Sequence, residues 1–97
     1  MAYCLAVKWT IKEGELDPVL AALRPLAEAS RAEPGCRLYQ AHRSPEDPYV
    51  IFLYEQYVDE TAYQAHAESE HFKTYAVGEC FPRRESSERA VYESFEP

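Results

Sequence analysis

YVIFLYEQYV, residues 49–58, decides the predicted fold, because it is the most apolar stretch of the chain and is apolar on both sides. Alternate side chains of a strand point to opposite faces. One face would carry Tyr49, Ile51, Leu53, Glu55 and Tyr57, and the other Val50, Phe52, Tyr54, Gln56 and Val58. Both faces are expected to be covered, as in a central strand or a strand whose second face meets another subunit.

Three further stretches alternate between bulky apolar and smaller or polar side chains and are predicted to be strands. They cover residues 3–12, 36–43 and 88–95. Between the second of them and the central segment lies Ser-Pro-Glu-Asp-Pro, residues 44–48, a composition that predicts a turn. The central segment is therefore expected to form a hairpin with the strand before it.

Helical patterns separate these strands. Apolar residues recur at offsets of three and four in residues 16–30, where Pro25 is expected to kink the helix or to mark an irregular turn. Asp59 is a suitable N-cap for a helix over 60–67, and Ser69 for another over 70–77. The element order predicts a ferredoxin-like βαββαβ fold of the α+β class, with a four-stranded antiparallel sheet and its helices on one face. We expect one domain over residues 1–97, with the open sheet face covered by a second copy.

Composition narrows the possible partners. The chain has 17 acidic and 10 basic residues and a net charge of -7, which disfavours binding to nucleic acid or to anionic membranes. No apolar run approaches the roughly 20 residues of a membrane span, and no signal-peptide pattern occurs, so we expect a soluble, cytoplasmic protein. Three cysteines without a Cys-x-x-Cys pair argue against a disulfide framework, and three glycines without a phosphate loop suggest no nucleotide or flavin cofactor.

Several short motifs are spread along the chain. They are Trp9-Thr-Ile-Lys-Glu-Gly14, Glu33-Pro34-Gly35-Cys36, the aromatic Tyr39, Tyr54-Glu55, and Ala65-His66 followed by His71-Phe72. In this combination the sequence resembles the antibiotic biosynthesis monooxygenase family of dimeric α+β barrel proteins, and most of all its small quinol-monooxygenase-like members. The resemblance implies a homodimer joined through the sheet faces and a pocket in each subunit between sheet and helices.

Function varies within that family, so the resemblance leaves several activities open. Members include cofactor-free quinol and anthrone monooxygenases, haem-degrading enzymes that use an Asn, a Trp and a His, and an isomerase. This chain contains no Asn, and Ala76 stands where the haem-degrading members would have His. The resemblance favours a cofactor-free monooxygenase that oxidises a small quinol or polyphenol-type aromatic substrate with dioxygen. The alternatives are an isomerase of a small polar metabolite and a non-catalytic dimeric small-molecule-binding or stress-response protein.

His66 is the first catalytic candidate, because an imidazole with a pKa near 6.5 suits a base at neutral pH. Glu55 is the second, because a carboxylate on an apolar strand face needs a partner: it would orient His66 or pair with Arg37 or Arg43. The substrate-binding candidates are Trp9, Tyr39, Tyr57, His71, Phe72, Tyr75 and Phe81. No metal site is expected, since the two neighbouring histidines straddle a suspected break between helices.

Overall fold

Four strands form one antiparallel sheet in the computed structural model, which describes residues 1–95. They are β1 (Tyr3–Ile11), β2 (Cys36–Arg43), β3 (Val50–Tyr57) and β4 (Arg84–Glu93). The order across the sheet is β2-β3-β1-β4. The most apolar segment is therefore an inner strand, as predicted, and the ferredoxin-like α+β fold is confirmed.

Two α-helices follow β1 and β3. Helix α1 (Leu16–Arg31) continues through Pro25, so an irregular turn at that residue was a wrong expectation. Helix α2 (Glu60–Ala67) has the predicted bounds, and Asp59 is its N-cap, with a side chain that accepts a hydrogen bond from the Ala62 amide at 2.9 Å. That contact satisfies one of the amides left unpaired at a helix start.

A π-helix (Phe72–Cys80) replaces most of the α-helix predicted over 70–77. Ser69 still caps its entry, since its hydroxyl accepts a hydrogen bond from the Phe72 amide at 3.2 Å. The wider π turns bury Ala76 and Cys80 in the core shared with α1, an outcome that depends on packing and that a 3.6-residue pattern does not reveal. Long π segments are rare and often lie at functional sites.

The last strand begins earlier than predicted. After a 3₁₀ turn (Phe81–Arg83), β4 starts at Arg84, whereas the alternation predicted a start at residue 88. Pairing with β1 extends to Arg84 across a register shift next to Ile11. Because β4 is a mostly exposed edge strand, its first residues carry little of the alternation that indicates a strand.

The two faces of the sheet have different surroundings. The inner face packs its apolar side chains against α1 and the π-helix to form the core. The outer face leaves Phe52 38% exposed and Tyr92 58% exposed, so residues 1–95 of one chain do not cover the second face of β3 completely. Within residues 1–95, none of the helices is long and apolar enough to cross a membrane.

Candidate active site

The turn Glu33-Pro34-Gly35 between α1 and β2 packs directly against α2. Its backbone is held by a hydrogen bond from the Val58 amide to the Gly35 carbonyl at 2.8 Å. A Cβ atom built on Gly35 would lie 2.4 Å from the Cβ of Ala62, which is closer than real Cβ atoms approach. Glycine is therefore required for close packing, and this packing brings Glu33 to the side of α2 that carries His66.

Glu33 joins the two histidines of the Ala65 to Phe72 segment. Its Oε2 lies 2.8 Å from Nδ1 of His66 and 2.5 Å from Nε2 of His71. A carboxylate only accepts hydrogen bonds, so both ring nitrogens donate to the same oxygen. Sequence reasoning treated Glu33 only as part of a helix stop and of a family motif; that motif was the available signal for it.

His66 is enclosed, with 1% of its surface exposed. The rings of Tyr57 and Phe72 have centroids 5.2 Å from the imidazole, and Tyr39 lies at 5.8 Å. Burial lowers the pKa of His66, against the opposing influence of its hydrogen bond to Glu33. The ring is therefore neutral near pH 7, with its proton on Nδ1 and the Nε2 lone pair directed to the other side.

On that other side lies Glu55, whose Oε1 is 3.9 Å from Nε2 of His66. The same oxygen accepts a hydrogen bond from the Tyr57 hydroxyl at 2.7 Å. Burial raises the pKa of Glu55 to about 7, although the bond from Tyr57 and the charge of Arg89 lower it. Within residues 1–95 of one chain, Glu55 makes no ion pair with Arg37 or Arg43 across the hairpin, so that form of the predicted pairing was wrong, while a pairing with these arginines across a dimer interface stays a prediction.

A cavity of about 90 Å³ lies between the sheet and the π-helix, and Glu55 forms part of its wall. Five predicted site residues line it: Trp9, Tyr39, Glu55, Phe72 and Phe81. Four others, His66, Tyr57, His71 and Tyr75, are not among its lining residues. His66 thus contacts the cavity wall from behind, through Glu55 and the surrounding aromatic rings.

Two arginines of β4 complete the wall, and neither was predicted. The guanidinium of Arg84 lies 3.9 Å from the ring centroid of Phe81, and that of Arg89 lies 5.3 Å from the ring centroid of Tyr63. Cations over aromatic faces are held by the ring quadrupole. In the sequence these arginines stand among charged residues without a motif, so only the pairing of β4 with β1 places them at the cavity.

The three groups around Glu33 also have the chemistry of metal ligands. One ligand atom from each of Glu33, His66 and His71 lies within 4.8 Å of the others, so the suspected helix break does not keep the two histidines apart. Both imidazoles already contact the carboxylate oxygen directly. A metal ion would have to replace both hydrogen bonds, whereas the three groups satisfy one another as they stand.

Comparison with known proteins identifies the relatives of this chain. The model of the antibiotic biosynthesis monooxygenase family matches residues 2–77. Among curated proteins, none matches significantly.

Solved structures with this architecture come from several bacteria. A Bacteroides thetaiotaomicron protein described as a candidate antibiotic biosynthesis monooxygenase is 28% identical, with a TM-score of 0.90 over 99% of this chain and 91% of that one. A Nitrosomonas europaea protein described in the same way is 26% identical, with a TM-score of 0.91 over 99% and 92% of the two chains. A Pseudomonas aeruginosa protein is 25% identical, with a TM-score of 0.89 over 98% and 95%.

Proposed function

Because the chain belongs to the antibiotic biosynthesis monooxygenase family, we propose that it is a cofactor-independent monooxygenase of a small, single-ring quinol. In this reaction the quinol and dioxygen give a hydroxyquinone and water. One oxygen atom enters the ring, the other leaves as water, and the substrate supplies all the electrons. The protein then has to remove a phenolic proton, hold the ring and keep water away.

The observation that carries the proposal is a carboxyl group with a pKa of about 7 in the wall of an aromatic cavity. A base is most effective when its pKa lies near the working pH, and Glu55 meets that condition. The guanidinium groups of Arg84 and Arg89 line the same cavity and would stabilise the phenolate that forms. In this arrangement Glu55 contacts the substrate, and His66, the first sequence candidate, assists from behind it.

Cavity size limits the substrate. A cavity of about 150 Å³ holds one benzene molecule, whereas this one measures about 90 Å³. A single ring therefore enters only if a wall residue moves, and the side chains of Arg84 and Arg89, which are partly exposed and exposed respectively, are the candidates for that movement. Fused multi-ring substrates such as anthrones do not fit this space.

The homodimer is part of the proposal. Leu38, Phe52 and Tyr92 are exposed apolar or aromatic side chains on the outer face of the sheet. A second copy placed face to face would cover them, as isologous two-fold dimers do. The cavity lies on the opposite, inner side of the sheet and stays within one subunit.

Oxygen consumption tests the function directly. Single-ring hydroquinones are incubated aerobically with the native protein, Glu55→Gln and His66→Ala, with Glu46→Gln as a matched control in the exposed turn before β3. We expect Glu55→Gln to lower kcat by about 100-fold or more, and Glu46→Gln to match the native rate. No oxygen use above background, or a native rate in Glu55→Gln, contradicts the proposal. A hydroquinone that binds without consuming oxygen would favour the non-catalytic binding alternative.

A further inference from the structure

Four side chains form a row from the cavity to the protein surface. Glu55 stands in the cavity wall, and its Oε1 is 3.9 Å from Nε2 of His66. Nδ1 of His66 is 2.8 Å from Oε2 of Glu33, and the same oxygen is 2.5 Å from Nε2 of His71. His71 is 20% exposed, so the row ends at solvent.

We infer that this row is a proton path, in which Glu33 and His71 carry to solvent the proton that Glu55 removes from the substrate. The inference rests on the proposed oxidation for its physiological role, because the proton it carries is the phenolic one. It assigns functions to Glu33 and His71 that neither the family match nor the cavity wall provides.

The surroundings of Glu55 leave His66 as the group that can take its proton. Tyr39 and Tyr57 also face this carboxyl, and burial raises the pKa of both hydroxyls, so neither forms an anion that could act as a base. Arg89 acts on Glu55 through its charge but stays protonated and accepts nothing. Among the residues that the structure describes, the neutral Nε2 of His66 is the remaining acceptor close to Glu55.

Each step moves one proton and no electrons. The substrate hydroxyl loses its proton to Glu55, which becomes a neutral acid and passes the proton to Nε2 of His66. The imidazolium then releases its Nδ1 proton to Glu33. In the resting structure Nε2 of His71 carries the proton that it donates to Glu33, so His71 first changes tautomer through water, gaining a proton on Nδ1 and losing the one on Nε2. Glu33 then passes its proton to the free Nε2, and the Nδ1 proton leaves to water. The net result is a phenolate in the cavity and one proton in solvent.

One link is longer than a hydrogen bond. The gap of 3.9 Å between Glu55 and His66 exceeds the usual donor–acceptor limit of about 3.2 Å. A carboxyl shift of about 1 Å, or one bridging water, would close it. The other two links are direct contacts, so this gap is the step that gates the path.

Exchange of the His66 ring proton with water tests the path without any substrate. His66 is 1% exposed, so its Nδ1 proton reaches water by way of Glu33 and His71 if the path exists. The exchange rate is measured by NMR in the native protein, in His71→Gln, which retains a hydrogen-bond donor, and in His42→Gln, a matched control at an exposed position on β2. We expect His71→Gln to slow exchange by about tenfold or more, and His42→Gln to leave it unchanged. An equal rate in His71→Gln and the native protein overturns the inference.

Rescue of turnover by imidazole is a second measurement, and it separates proton transfer by His71 from a purely structural role. With an active hydroquinone at low buffer concentration, His71→Gln should lose about tenfold in kcat, and added imidazole should restore most of it by carrying the proton in place of the ring. A loss that imidazole does not restore is evidence against the path. Slowed ring-proton exchange without any turnover would contradict the oxygenase proposal alone, whereas turnover with native exchange would contradict the path alone.

Discussion

Replacing Gly35 by alanine tests whether the turn after α1 sets the geometry of the site. The new Cβ would lie 2.4 Å from the Cβ of Ala62, whereas ordinary contacts begin at 3.4 Å. The turn and α2 must therefore separate by about 1 Å, since both atoms are fixed to the backbone. Overpacking of this kind costs about 1–3 kcal/mol. For a chain of this length, 2 kcal/mol corresponds to a fall in Tm of about 8–16 °C.

The same shift should also separate Glu33 from His66. A retreat of about 1 Å lengthens the 2.8 Å contact between Glu33 and His66 to about 3.8 Å, beyond hydrogen-bonding distance. Thermal unfolding gives the stability change, and the NMR signal of the His66 ring proton reports the contact. We expect that proton to lose its hydrogen-bonded shift.

A second substitution provides the control. Ala62→Gly alone costs about 1 kcal/mol as a glycine inside a helix, but in the double variant with Gly35→Ala it removes the clash. The double-mutant cycle should then show a favourable coupling of about 1–2 kcal/mol. Gly14→Ala is a further comparison, because Gly14 has φ at 82° and none of the described atoms lies within 4 Å of an added Cβ. This substitution should lower stability through the backbone alone and leave the His66 signal unchanged. The steric explanation is refuted if Gly35→Ala unfolds within about 0.5 kcal/mol of the native protein, or if Ala62→Gly does not relieve the loss.

Three further predictions concern charge, assembly and the core. Burial raises the pKa of Glu55 from 4.5 to about 7. The protonated carboxyl therefore contributes to the free energy of unfolding fully below pH 4.5, and this contribution is lost as the pH rises through 7. The loss is on the order of 3 kcal/mol. Urea unfolding of Glu55→Gln should lack that loss between pH 5 and 8, and an unchanged pH dependence would contradict the raised pKa. We expect the native protein to sediment as a dimer of about 22 kDa, twice the 11.2 kDa chain, and Phe52→Glu to sediment as a monomer. The control Val77→Glu, on the exposed side of the π-helix, should remain dimeric. A native protein that sediments as a monomer refutes the proposed dimer. Ser30→Ala should raise the free energy of unfolding by about 1 kcal/mol, because the buried Ser30 hydroxyl has no hydrogen-bond partner within residues 1–95. A loss of similar size would show that it has one.

Local sequence patterns were sufficient for most of the fold. Alternation predicted Cys36–Arg43 as a strand, and an Asp cap followed by good helix formers predicted Glu60–Ala67, both with the observed bounds. The two-sided apolar pattern of residues 49–58 correctly indicated an inner strand. These features depend on neighbours one to four residues away, and such information is present in any short window of sequence.

The two elements that the sequence did not predict correctly share one cause. The π-helix and the early start of β4 are chosen by packing against α1 and by pairing with β1, and neither contact leaves a periodic signal in the segment itself. Of the two alternatives predicted at Pro25, the irregular turn does not occur and the helix runs through the residue, because burial of one face outweighs the missing amide.

By itself, the sequence determined the βαββαβ order, the inner strand, the family resemblance and four of the aromatic residues that line the cavity. They are Trp9, Tyr39, Phe72 and Phe81, whereas the predicted Tyr57 and Tyr75 do not line it. Only the tertiary structure decided how the site is connected. It brings Glu33 to His66 across 33 residues, places Glu55 between His66 and the cavity, and sets Arg84 and Arg89 in the cavity wall. The physical reason is that strand and helix periods arise from local backbone geometry, whereas a buried carboxylate acquires its pKa and its partners from residues that meet only when the chain is folded.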